Sequence, residues 1–216
     1  MRIKLIIFDL DGTLVNAYRA VARSLNYALQ KVNLSSVDHE TIRRSVGWGD
    51  RNLIKRFVPE KDLEKVLSIY RKHHQEALKT GTTFLPGAKG VLRRLSQKGY
   101  RLAIASNRPT HFTKIILRHL KIHGCFECVL CGDKVKHPKP AGDILKGILK
   151  KFSVQPSAAL YIGDMTIDAQ TGRNAGVKTV IVVTGSSTWA EVKKYRPYKI
   201  IRKLTDVMAL IDTLNQ

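Results

Sequence analysis

The stretch KLIIFDLDGTLV, Lys4 to Val15, drives four large apolar residues (Leu5, Ile6, Ile7, Phe8) straight into Asp9, Leu10, Asp11, Gly12 and Thr13. A short apolar run bounded by polar and glycine residues reads as a strand buried on both faces, as strands of parallel sheets are. Two acids two positions apart at the end of such a strand are out of place in a purely structural role.

Working outward, further apolar runs recur: YRLAIAS (Tyr100–Ser106), FECVLCG, AALYIGD (Ala158–Asp164) and KTVIVVTG (Lys178–Gly185), with YKII (Tyr198–Ile201) as a candidate edge strand. Amphipathic segments separate them: AKGVLRRLSQKG, HFTKIILRHLKI, AGDILKGILKKF and AQTGRNAG. Strands alternating with helices of this length predict an α/β fold, a parallel sheet covered on both faces. Gly99 stands where a helix C-terminal cap is expected. From about Asn16 to Phe84 the alternation stops. No strand pattern is found there, but AVARSLNYALQKV, DHETIRRSV (with Asp38 as N-cap) and KDLEKVLSIYRKHHQEALK have helical spacing. The division expected is a core of residues 1–15 and 85–216, with an all-helical insert over 16–84.

In an open parallel sheet, ligands bind beyond the carboxyl ends of the strands. Those ends here carry Asp9, Asp11, Gly12 and Thr13; Ser106 and Asn107; Lys136 and Lys139 in KHPKP; and Asp164 and Asp168 in GDMTID. Such a set fits phosphoryl transfer. Asp9 can be a nucleophile or a metal ligand, and Asp11, past the turn, a general acid and base. Gly12 lets the backbone approach an anion. Asp9, Asp11 and Asp164 would repel one another without a divalent cation, and oxygen ligands beside phosphate favour Mg²⁺. The Ser106 hydroxyl and backbone N–H groups near Gly12, Thr13 and Asn107 can hold phosphate oxygens. Lys139 supplies fixed positive charge. Taken singly, each motif could be a turn, a helix cap or a surface loop; four in order, each at a strand end, point to one site.

The combination resembles the haloacid dehalogenase superfamily of phosphohydrolases. DxDGT stands here as Asp9-Leu10-Asp11-Gly12-Thr13, the strand-end Ser/Thr as Ser106 in ASNRP, the Lys-Pro as Lys139-Pro140, and GDxxxD as Gly163-Asp164 with Asp168. The resemblance spans the whole chain, and its wording is most similar to the phosphoglycolate phosphatase-like branch. It implies a Rossmann-like core with the helical insert as a cap domain. It also implies that Asp9 carries an aspartyl-phosphate and that Asp11 protonates the leaving oxygen and then activates water. Mg²⁺ would sit on the Asp9 carboxylate, the Asp11 backbone carbonyl and Asp164, supported by Asp168 from behind, and Ser106 and Lys139 would bind the phosphoryl group. Two positions depart from the pattern: Gly142 replaces the second proline of KPxP, which should loosen a helix start, and Asn16 replaces an acid.

Substrate choice is expected in the cap, where the loop RRSVGWGDRN (Arg43–Asn52) offers Arg43, Trp48 and Arg51 to a leaving group. An arginine would suit a carboxylate such as that of phosphoglycolate. The expected partner is a small phosphorylated metabolite. Pyrophosphate or nucleotide hydrolysis, and phosphomutase chemistry, would use the same core.

Among 216 residues, 38 Lys+Arg against 17 Asp+Glu give a net charge of +21, which attracts anions. Nucleic-acid binding is the rival this charge raises, yet the basic residues are scattered and no nucleic-acid motif accompanies them. No apolar run is long enough for a membrane span, and the first residues lack a signal-peptide cleavage pattern, so a cytoplasmic protein is expected. Cys125, Cys128 and Cys131 could hold a metal only with a fourth ligand such as His123 or His137. On one strand Cys128 would face away from the other two, so all three are expected to be small buried hydrophobes.

Overall fold

The computed structural model describes residues 2–216, and among these residues eight strands and ten α-helices form. The central strand β1 (Leu5–Phe8) is buried throughout. Its alternate residues serve opposite faces of the sheet. Ile6 and Phe8 join one apolar cluster with Leu92, Ile104, Ile116 and Val207, while Leu5 and Ile7 join the other with Ile144, Ile148 and Tyr161. Two-sided burial is why the opening run is continuous rather than alternating.

After β1 the chain forms β2 (Val15–Asn16), then α1 (Tyr18–Gln30), α2 (His39–Ser45), α3 (Asp50–Lys55) and α4 (Leu63–Gly81), and returns through β3 (Thr83–Phe84). The rest alternates: α5 (Ala88–Gln97), β4 (Arg101–Ser106), α6 (Thr110–His119), β5 (Cys128–Cys131), α7 (Asp143–Phe152), β6 (Ala159–Gly163), α8 (Thr166–Ala175), β7 (Lys178–Val182), α9 (Trp189–Lys193), β8 (Lys199–Ile201) and α10 (Val207–Leu214). The six-stranded sheet runs β5-β4-β1-β6-β7-β8, all pairs parallel. The chain fills one side of β1 with β4 and β5, then crosses to the other with β6. This strand-order reversal puts the site crevice at the ends of β1 and β6.

Several local expectations are met. Asp38 caps α2, its Oδ1 accepting from Thr41 N at 2.9 Å, and Gly99 takes a positive φ of 77° just past α5. The candidate edge strand is β8. Others are corrected. The insert does begin and end in strand, because Val15 and Asn16 pair antiparallel with Phe84 and Thr83 where the chain leaves and re-enters the core. Two residues a side are too few for any periodicity. The third core strand is only Cys128–Cys131, and Cys125 ends a short 3-10 turn before it. Gly142 does not loosen α7: a Cβ there would lie 2.7 Å from the Asn174 carbonyl, so glycine permits a close approach of α7 to α8.

The helices of the insert share an apolar cluster of their own, including Leu25, Leu29, Ile42, Leu53, Leu67 and Tyr70. Ala17 and Ala20 on one crossing, with Ala77 and Leu78 on the other, pack into the core's cluster instead. No helix among the described residues is long and apolar enough to cross a membrane.

Candidate active site

Asp9 follows β1 directly, its N–H donating to the Ile162 carbonyl of β6 at 2.8 Å, which fixes it to the sheet. The chain then folds into a tight turn in which Leu14 and Val15 donate to the Leu10 carbonyl, both at 3.0 Å. Gly12 enters it at φ 82°, and a Cβ there would sit 2.4 Å from Asp164 Oδ2 and 2.6 Å from the Tyr18 hydroxyl. Only glycine satisfies both demands. Thr184, just past β7, grips the same turn, its hydroxyl donating to the Gly12 carbonyl at 2.6 Å.

The structure brings Asp9, Lys139, Asp164 and Asp168 together in the buried interior of the site. Lys139 Nζ donates to Asp9 Oδ1 at 2.6 Å and to Asp168 Oδ1 at 2.8 Å. One ammonium thus serves two carboxylates, with a third beside them. The imbalance is visible in the acids: burial, above all, pushes Asp9 up to about 7 even against the Lys139 charge. Burial, then Asp168 and Asp9, likewise hold Asp164 well above the carboxylate range. The neighbouring carboxylates hold Lys139 above the ordinary lysine value in spite of its burial.

Ligand oxygens of Asp9, Asp164 and Asp168 lie within 4.8 Å of one another, a hard-oxygen set suited to a divalent cation. The hydrogen bonds separate their roles. A carboxylate has about four lone-pair sites, and Asp168 fills its own. Oδ1 accepts from Lys139 and from the Tyr161 hydroxyl at 2.6 Å, and Oδ2 from the N–H groups of Asp164 and Met165 at 3.2 and 3.0 Å. Asp9 Oδ2 accepts nothing among the described residues, while Asp164 Oδ1 takes the Thr13 hydroxyl at 3.0 Å and Oδ2 a long 3.4 Å contact from Ser186 N. Free acceptor capacity is therefore on Asp9 and Asp164, and the residues fit a bound cation.

Ser106 lines the cavity with Asp9, Asp11 and Lys139. Asn107 also lies there, but its side-chain amide bridges the carbonyls of Gly47 and Lys139 and its Oδ1 accepts from Lys139 N. Its side chain is taken, so only its main chain could serve a phosphate.

The expected cap loop is shorter than Arg43–Asn52. Arg43 and Arg44 lie in the last turn of α2, and Asp50 to Asn52 begin α3. Gly47 and Gly49 do turn the chain at φ 113° and 86°, and a Cβ on Gly47 would strike Met165 Sδ at 2.5 Å. The loop therefore rests on the core. Arg43, Trp48 and Arg51 do not line the cavity. Arg43 pairs with Glu40 and donates to the Gly185 carbonyl, Arg51 pairs with Glu64, and Trp48 lies in a separate surface groove with Arg44 and Glu191.

Sequence reasoning missed Arg108 and His74. Arg108 is buried, with its guanidinium on Asp11 and on His74 of α4. The cavity that Arg108 lines with Asp9, Asp11, Ser106 and Lys139 is small, about 50 Å³ open to the centre of a water molecule. Its apolar wall comes from Val46, Leu53, Tyr70 and Phe112.

A Rossmann-like sheet carries buried aspartates and a lysine at the β1/β6 crossover, under a helical insert, an arrangement suited to a phosphatase. Residues 6–182 match the family described as Haloacid dehalogenase-like hydrolase, and the chain belongs to it. It is 28% identical over 209 residues to a phosphoglycolate phosphatase of Aquifex aeolicus, covering 97% of each chain. It is 26% identical to the pyrophosphatase PpaX of Bacillus cereus over the full length of both. Its fold superposes on the crystal structure of a predicted phosphoglycolate phosphatase from Haemophilus somnus 129pt with a TM-score of 0.92, at 27% identity over 97% of this chain and 98% of that one.

Proposed function

We propose that this chain is a Mg²⁺-dependent phosphomonoesterase that works through an aspartyl-phosphate on Asp9, with phosphoglycolate as its foremost substrate candidate. The observation that carries this reading is the state of Asp9. One carboxylate oxygen is held by Lys139 at 2.6 Å, and the other accepts no hydrogen bond among the described residues. A carboxylate anchored at one oxygen and free at the other is a positioned nucleophile.

In the first step Asp9 Oδ2 bonds to phosphorus as the ester P–O bond breaks, and Asp11 gives its proton to the departing oxygen. In the second, Asp11 takes a proton from water as that water attacks phosphorus, and Asp9 departs with its electron pair, releasing phosphate. Lys139 and Ser106 hold the phosphoryl oxygens through both steps. A cation held by Asp9, Asp164 and the Asp11 carbonyl supplies charge neutralisation for the transferring group. Asp168 keeps Lys139 aimed at Asp9. The cap, residues 16–84 in this reading, closes the site from water.

A cavity of about 50 Å³ favours a small metabolite over a polymer, which weighs against nucleic acid as substrate despite the net charge. Pyrophosphate is the second reading, favoured by the full-length likeness to PpaX.

The test is phosphate release from phosphoglycolate, pyrophosphate, nucleotides and sugar phosphates, with and without Mg²⁺, by wild type and Asp9→Asn. The expected result is Mg²⁺-dependent release from phosphoglycolate, lowered on the order of 10⁴-fold or more by the substitution. Turnover that survives Asp9→Asn would sink the mechanism, and isomerisation of a sugar phosphate without free phosphate would make the chain a mutase.

A further inference from the structure

Asp11 does not stand free beyond β1. Arg108, two residues past β4, is buried with its guanidinium edge-on to that carboxylate. Nε donates to Asp11 Oδ2 at 2.7 Å and Nη2 to Oδ1 at 2.9 Å. Two parallel bonds of this kind fix the plane of a carboxylate as well as its position. Nη1 reaches the other way, to Nε2 of His74 in α4, 2.8 Å off.

The direction of that last bond follows from chemistry. A guanidinium only donates, so His74 Nε2 accepts and the imidazole proton is on Nδ1, 3.1 Å from Ser24 Oγ in α1. Ser24 then donates onward to the Ala20 carbonyl at 2.9 Å. Burial and the Arg108 charge favour this neutral imidazole. The ring is clamped by Tyr70, stacked at 4.7 Å, and by Phe112, edge-on at 5.0 Å. An unbroken chain of donors and acceptors thus runs from the two long helices of the insert, α1 and α4, through Arg108 to the carboxylate of Asp11.

We propose that Arg108 is the positioning residue for Asp11, and that His74 makes this positioning depend on the seated cap. The inference rests on the acid–base role of Asp11 given above. A loop aspartate has two side-chain torsions to lose, and a displacement of about 1 Å at a reacting group costs on the order of 10²-fold in rate. Arg108 removes that freedom. Arg108 itself is held on the far side by a residue of α4, so withdrawal of the insert strips Nη1 of its acceptor and frees the guanidinium to turn. Asp11 is then set for proton transfer only over a closed site, where a leaving group is already enclosed.

The experiment compares two small substrates that differ in their need for a proton. The glycolate of phosphoglycolate departs as an alkoxide and requires one; the acetate of acetyl phosphate departs as a stable carboxylate and does not. For Arg108→Ala the expected loss in kcat/KM, which reports formation of the aspartyl-phosphate, is on the order of 10²-fold on phosphoglycolate and less than about 10-fold on acetyl phosphate, while the later water step, common to both substrates, slows alike for the two. Added guanidinium ion should restore part of the first. His74→Leu should reproduce the same selective pattern more weakly, while His74→Gln, which can still offer an oxygen to Nη1, retains activity. Thermal melts of each variant separate these losses from misfolding, since guanidinium rescue and selectivity between substrates require a folded site. Equal losses in kcat/KM on both substrates without rescue would make Arg108 a merely structural residue and overturn the proposal. A rise in KM for phosphoglycolate alone, with kcat intact, would also overturn it, by showing that Arg108 binds the substrate carboxylate. Wild type and Asp9→Asn are run alongside on acetyl phosphate. If wild type turns over neither substrate the hydrolase reading fails, and if Asp9→Asn turns over both the Asp9 mechanism fails; in either case the proposal falls with it.

Discussion

Lys139 and Arg51 are both cations paired with carboxylates, one at the edge of the sheet and one on the insert. The Lys139 side chain is 2% exposed and meets Asp9 and Asp168 at 2.6 and 2.8 Å. The Arg51 side chain is 52% exposed and meets Glu64, itself 71% exposed. Water can replace either member of the second pair at little cost, and such pairs contribute roughly 0–1 kcal/mol. Nothing can replace Lys139, because removing one member of a buried set leaves an uncompensated charge in a medium that cannot solvate it. The sheet edge therefore holds charges that chemistry dictates, while the insert holds charges that shape and solubility allow to vary.

The substitution that bears hardest on this contrast is Lys139→Met, which keeps the length of the side chain and deletes the charge. Turnover should fall on the order of 10³-fold or more, because the phosphoryl group loses its fixed cation. Stability without metal should fall by roughly 3–5 kcal/mol, with Asp9 and Asp168 left facing each other. Added Mg²⁺ should return part of the stability and little of the rate. A melting temperature unchanged by the substitution would mean that the buried acids are already protonated and that Lys139 carries no structural load.

The same contrast explains which parts could be read in advance. Asp9, Ser106 and Asp164 each stand at a strand end, and Lys139 in the loop that follows β5, so a linear pattern of apolar runs places them in space, and their residue types then say what they can do. Arg108 stands at a strand end too, but a basic residue before a proline has too many ordinary uses to be singled out. His74 lies at helical spacing among the apolar residues of α4, where its meaning depends on Arg108, 34 positions away. The placement of the cap arginines escapes the sequence for a related reason. Glycines at 47 and 49 announce a turn, but whether the turn points Arg43 and Arg51 into the cavity or across the surface is settled by contacts with Glu40, Gly185 and Glu64. No local pattern encodes those contacts. The two-residue strands β2 and β3 lay below the length at which alternation exists to be seen.

A smaller effect, on stability against pH, tests whether the sheet edge is short of positive charge. Burial raises Asp9 from the ordinary 3.8 to about 7, so the folded protein holds this proton more tightly than the unfolded chain does. That contribution to stability is complete below 3.8 and is lost as pH climbs to about 7; Asp164 shifts in the same direction. A divalent cation competes with those protons, so its stabilisation should grow over the same window. Metal-free protein should melt several degrees lower at about pH 8 than at about pH 5, and Mg²⁺ should raise the melting temperature more at the higher pH. Asp9→Asn should flatten the metal-free slope. A Mg²⁺ shift equal at both values would mean that Asp9 and Asp164 are not competing for protons and cation.

The smallest effect is expected from Arg51→Ala, and it is the substitution that could break the comparison. Its partner Glu64 is on the surface, and Arg51 does not line the cavity. A change within about 0.5 kcal/mol in stability is expected for an exposed site of this kind, with KM for phosphoglycolate altered less than about twofold. Arg43→Ala should do more, because its Nη1 donates to the carbonyl of Gly185, and a Cβ on that glycine would collide with the Asp164 carboxylate. Loss of Arg43 loosens the backbone that packs against a proposed metal ligand, so its effect should fall on Mg²⁺ dependence before KM. If instead Arg51→Ala raised KM tenfold with kcat intact, the loop between α2 and α3 would have to swing inward in the loaded enzyme. The exposed charges of the insert would then be as constrained by the substrate as Lys139 is by Asp9 and Asp168, and the division drawn between the two regions would describe only the empty protein.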